Sequence, residues 1–193
     1  QPWTVAEASA TRAVLRQSHA GNELWPWAFE AEQVFELSDT TLRLELALTN
    51  RAAEAQPVGM GWHPYFTKRA GSRIEVGLTQ RWDNNEDHLA YRRVPQAPIA
   101  ADVADLDVDN CYEGWPGEAR FSDDLLSMTM RSDLPYLVVF TPVNKPYYCI
   151  EPVSHVSNAV QQADPIGHGV RAVAPGATTR AWMTIDVRPQ VGA

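Results

Sequence analysis

The chain has 193 residues, 45% hydrophobic and 21% charged, which is ordinary globular composition with enough apolar mass for a sizeable core and no mark of disorder. Its 24 acidic and 16 basic side chains leave a net charge of −8, and its two lysines, Lys68 and Lys145, belong to no basic run, which argues against a nucleic-acid partner. No apolar stretch approaches the ~20 residues of a membrane-spanning helix, so no membrane role is expected. Without CxxC, HExxH or a His/Cys cluster no metal is expected, and Cys111 and Cys149 read as reduced thiols.

In chain order, the dominant period is two. Val5 to Gln17 carries a poor helical stripe and reads as two strands. Phe29, Ala31, Phe35 and Leu37 share a face; Ser38-Asp39-Thr40 then makes a turn into the alternating Leu42, Leu44, Leu46 and Leu48. Alternation returns at Ile74, Val76 and Leu78, at Leu126, Met128 and Met130, and at Ala181, Met183, Ile185 and Val187. Two runs, Leu137 to Phe140 and Tyr147 to Ile150, are apolar throughout and predict central strands covered on both faces. Pro95 to Asp109 is long, acidic and proline-bearing, and reads as an ordered surface loop. The expected fold is all-β, with large antiparallel sheets packed face to face in one domain spanning 1–193.

Three segments place protonatable groups beside aromatic rings. They are Gly59-Met60-Gly61-Trp62-His63-Pro64-Tyr65-Phe66, Asp109-Asn110-Cys111-Tyr112-Glu113-Gly114-Trp115, and Glu151-Pro152 at the end of an apolar run. Aromatic faces stack on the C–H faces of sugars, and carboxylates bind hydroxyls. A carboxylate with a histidine supplies a base and an acid. Each segment equally suits a structural role: a packed histidine, a solvated glutamate at a strand end, an Asp-Asn turn.

Taken in order, these stretches resemble the aldose 1-epimerase (galactose mutarotase-like) family. The resemblance rests on Trp25-Pro26-Trp27-Ala28-Phe29, Leu48-Thr49-Asn50, Gly61 to Phe66, Asp109 to Tyr112 with Trp115 and Gly117, and Glu151-Pro152 with Asn158-Ala159. It implies a large antiparallel β-sandwich and interconversion of the α and β anomers of a free hexose. Glu151 would take the proton of the anomeric hydroxyl, His63 would protonate the ring oxygen, and Asp109 would bind sugar hydroxyls. Trp62, Tyr65 and Trp115 are expected as walls of the cleft. One proton is removed and one supplied, so the reaction calls for no cofactor.

The chain opens at Gln1-Pro2-Trp3, past the point where the family carries a substrate-binding arginine and a second histidine. It therefore reads as lacking an N-terminal portion, with weakened activity and exposed sheet edges that favour homo-oligomers. His19, His88, His155 and His168 read as surface or loop residues. A cytoplasmic location is expected. Two other readings compete: a sugar-binding or sugar-sensing protein without catalysis, and a hydrolase using Asp109 and Glu151. A phosphosugar variant would need Arg69, Arg73, Arg92 or Arg93 at the site.

Overall fold

Alternating apolar and polar side chains become strands because each strand can then bury one face and wet the other. A computed structural model, which describes residues 2–190, contains seventeen strands. The strands are β1 (Thr4–Ala8), β2 (Arg12–His19), β3 (Phe29–Leu37), β4 (Thr41–Asn50), β5 (Gln56–Val58), β6 (Tyr65–Thr67), β7 (Arg73–Val76), β8 (Gln80–Asn84), β9 (Ala90–Pro95), β10 (Ile99–Asp102), β11 (Asp109–Glu113), β12 (Glu118–Ser122), β13 (Leu126–Ser132), β14 (Tyr136–Phe140), β15 (Tyr147–Val153), β16 (Arg171–Val173) and β17 (Thr178–Pro189). Gln1, where the sequence suggests a truncated start, lies outside the described residues.

Nine strands form one antiparallel sheet in the order β1-β2-β3-β4-β17-β13-β12-β7-β10. Six form a second, β6-β15-β14-β11-β8-β9, and β5 pairs with β16. Val5 to Gln17 is indeed two strands, and the turn after Leu37 closes a hairpin in which the Ser38 N–H donates to the Thr41 carbonyl at 2.9 Å. The long β17 joins β4 to β13, so residues distant in sequence complete the sheet.

The core lies between the two large sheets. Ile74, Met130 and Met183 of the nine-stranded sheet meet Tyr112, Leu137, Tyr148 and Ile150 of the six-stranded one. Phe66 of β6 packs on Phe121 of β12, ring centroids 4.4 Å apart, which pins the start of the six-stranded sheet to its partner.

Two expectations are corrected. Pro95 to Asp109 is not simply a surface loop: it contains edge strand β10 and a 3-10 turn, Val103–Asp105. Ile99 and Val103 are buried there, and their burial draws the segment onto β7. The apolar runs do form adjacent strands, β14 and β15, but only one face of each meets the sheet-to-sheet core. The other face forms the floor of a cleft.

Candidate active site

β15 builds the site through its alternation. Tyr148 and Ile150 point into the core, so Cys149, Glu151 and Val153 point to the opposite side. On that side Glu151 sits opposite Val138 of β14, and Cys149 opposite Phe140. Asp109, on β11, pairs with Phe140 in turn. Strands lie ~4.8 Å apart, so two steps separate β15 from β11 by roughly 9.5 Å, room for one pyranose ring. The result is a cleft of about 590 Å³, floored by Val138 and Phe140 and edged by Glu151, His63, Asp109 and His155. That size suits a small-molecule site.

The crowded segment Gly59 to Phe66 forms one wall by running beside β15. Met60 exchanges backbone contact with Ser154: the Met60 N–H donates to Ser154 Oγ at 2.9 Å, and the Ser154 N–H donates to the Met60 carbonyl at 2.8 Å. The Trp62 N–H donates to the Pro152 carbonyl at 3.2 Å. This closeness requires glycine at 61, where a Cβ would stand 2.8 Å from Val153 Cγ1 and 3.0 Å from the Pro152 carbonyl oxygen. The chain then delivers His63 above Glu151, with Nε2 3.4 Å from Oε1. That separation is longer than a good hydrogen bond, so neither group is locked to the other. Tyr65 stacks flat on His63, centroids 4.6 Å apart and planes 9° from parallel, and Tyr147 meets Tyr65 edge-on at 5.0 Å.

Glu151 is 8% exposed and, among the described residues, no arginine is ion-paired to it. Burial, and secondarily the charge of Asp109, push its carboxyl up to about 7. A carboxylate held this way is a far better proton acceptor than an ordinary glutamate. Cys149, directly beside it, is buried and unpaired, and its thiol is pushed up to about 12, so it stays protonated at neutral pH. The Cys149 sulfur and one atom each of His63 and Glu151 lie within 4.8 Å of one another, the single such group of potential metal ligands found among the described residues.

The structure thus gathers His63, Asp109 and Glu151 around one cleft, with Tyr65 supporting His63. None of the three expected walls lines the cleft itself: Tyr65 is exposed and reaches it only through its stack on His63, and the two tryptophans are elsewhere. Trp115 is buried in the core, where its indole N–H donates to the Leu134 carbonyl at 2.9 Å. Trp62 is half-buried against the core and does not line the cleft. His19 lies in β2, stacked on Phe29, rather than in a loop, and His168 packs edge-on against Trp82. His155 is no plain surface residue: it lines the cleft. The only signal for it in the sequence is its place four residues after Glu151.

The fold and the site together are a large antiparallel sandwich that brings a carboxylate, an imidazole and a second carboxylate to one cleft. The Aldose 1-epimerase family profile matches residues 1–186, and the chain belongs to that family. YphB of Escherichia coli K12, itself uncharacterized, is 31% identical over 176 residues, covering 82% of this chain and 60% of YphB. The chain thus spans less than two thirds of that relative's length. A crystal structure from Escherichia coli K12, provisionally described as an aldose 1-epimerase, superposes with a TM-score of 0.86 at 26% identity, over 98% of this chain and 69% of that one. Galactose 1-epimerase from Lactobacillus acidophilus shares the fold, with a TM-score of 0.78 at 13% identity over 98% of this chain and 67% of that one. No helix among the described residues is long and apolar enough to cross a membrane.

Proposed function

We propose that the protein interconverts the α and β anomers of a free hexose by acid–base ring opening. Glu151 takes the proton from the anomeric O–H while His63, as imidazolium, gives one to the ring oxygen. The bond between C1 and the ring oxygen breaks and C1 becomes the aldehyde carbon. Rotation about C1–C2 followed by the reverse proton transfers closes the other anomer. Each group ends in its starting state only after closure, so the same pair serves both directions. Asp109, across the floor, accepts hydrogen bonds from sugar hydroxyls and fixes the ring over the pair.

One observation carries this reading: the His63 imidazole and the buried Glu151 carboxylate approach to 3.4 Å at the mouth of a sugar-sized cleft. A base whose affinity for protons has been raised to about 7 is matched to neutral conditions. The hydrolase alternative gains nothing here, since the acid nearest Glu151 is an imidazole rather than a second carboxyl. The deciding experiment follows α-D-glucose and α-D-galactose by NMR as they equilibrate. Glu151→Gln is expected to slow catalysed exchange by roughly 10²–10⁴-fold. Exchange at the parent rate in that variant removes Glu151 from the mechanism. Saturable sugar binding without exchange in the parent would instead make this a binding protein.

A further inference from the structure

His155 is the cleft residue for which neither the fold nor the acid–base pair accounts. It follows Ser154, whose backbone and hydroxyl are both bonded to Met60, so its position is fixed at the junction of β15 and the Gly59–Gly61 wall. Its Nδ1 lies 2.8 Å from the Val156 carbonyl oxygen. A carbonyl only accepts, so Nδ1 carries the hydrogen, and in the neutral ring Nε2 is left with a lone pair. Nε2 has no hydrogen-bond partner among the described residues. The ring edge bearing it lies against Gly59: a Cβ on residue 59 would stand 2.0 Å from Nε2 and 2.4 Å from Cδ2. No larger residue fits at 59 unless the imidazole moves.

We propose that His155 is a sugar-binding residue whose Nε2 accepts a hydrogen bond from a hydroxyl of the bound hexose, and that Gly59 is glycine so that the imidazole can occupy this position. The proposal rests on the cleft being the sugar site described above. With His155 in this tautomer, the cleft is rich in acceptors, the carboxylates of Asp109 and Glu151 and the His155 lone pair, with His63 as a donor and the Ser157 hydroxyl able to serve either way. Such a lining suits a neutral polyol, which presents many O–H donors, and repels a phosphate. The arginines that a phosphosugar would need are committed elsewhere: Arg69 to Asp123, Arg73 to Glu75 and Asp102, Arg92 to Asp83, and Arg93 to Glu113. None of the four lines the cleft.

The test uses histidine-¹⁵N-labelled protein carrying Glu151→Gln, which holds sugar without turning it over, titrated with D-galactose and D-glucose. The His155 Nε2 resonance is expected to move saturably with sugar, while Nδ1 keeps the hydrogen it donates to the Val156 carbonyl. His155→Ala and Gly59→Ala should each weaken sugar binding roughly tenfold, the loss of one hydrogen bond in a partly dry site. Combining them should cost no more than His155→Ala alone, because the new methyl then enters space the ring has left. His155→Gln, which restores an acceptor, should recover part of the affinity. Saturable binding with an unmoved Nε2 and unchanged affinity in His155→Ala overturns the proposal and leaves the mutarotase reading standing. Binding that perturbs Nε2 in a parent protein without anomer exchange does the reverse. Failure of both sugars to bind overturns both readings.

Discussion

The two faces of β14 and β15 are made by the same ten-odd residues, one peptide apart, yet they do opposite things. Leu137, Val139, Tyr148 and Ile150 face the nine-stranded sheet and are fully buried among other apolar side chains. Val138, Phe140 and Glu151 face the cleft, with Cys149 buried on the same side beside Glu151. The inner face gains free energy by leaving water; the outer face spends some of it, because Glu151 is held in surroundings that disfavour its charge. The comparison teaches how a rigid base is made. A carboxylate one residue from a close-packed core cannot relax toward water, so its raised proton affinity persists.

If the outer face carries the reaction as a pair, the largest effect is on rate. His63→Asn should reduce anomer exchange about as much as Glu151→Gln, and the double variant should be little worse than either alone, since groups that act as a unit do not add. NMR exchange rates of the three variants check this. Additive losses would mean that the two groups act independently and that the 3.4 Å approach is incidental.

The inner face should respond in stability instead. Ile150→Ala removes a fully buried side chain between the sheets and is expected to destabilise by about 2–5 kcal/mol in denaturant unfolding. The fraction that remains folded should keep most of its exchange rate. A large rate loss with unchanged stability would erase the distinction between the faces.

How much of this could be read beforehand depends on whether the signal is local. The leucines of β4 and the methionines of β13 announce strands because burial on one face writes a period of two into each segment. The cleft floor was not legible. Val138 and Phe140 are half-buried and line the cleft, and an apolar run with such a face has the same composition as one packed on both faces. His63 and Glu151 were readable as chemistry, but their meeting depends on Gly61 letting the wall approach Val153, a contact between residues far apart in sequence. Trp115 misled for the complementary reason. An aromatic ring beside Asp109 in sequence looks like a platform for a ligand, whereas its partner is the backbone of Leu134 in the interior.

The smallest effect isolates the cost of the outer face. Burial raises the Glu151 carboxyl from the ordinary 4.5 to about 7 in the folded protein. Between those values the folded state holds a proton that the unfolded chain has released, so this group's contribution to stability falls as pH rises through the window and stays low above it. Glu151→Gln removes the titration and leaves other groups nearly as they were. The stability difference, variant minus parent, should therefore be more favourable to the variant at pH 8 than at pH 4, by about 3 kcal/mol. Denaturant unfolding of both proteins at the two pH values measures it, and the subtraction cancels titrations that the proteins share. A difference that does not change with pH would place Glu151 in ordinary solvated surroundings. It would then lack the raised proton affinity that suits a base at neutral pH, and the contrast between the two faces of β15 would reduce to one of shape.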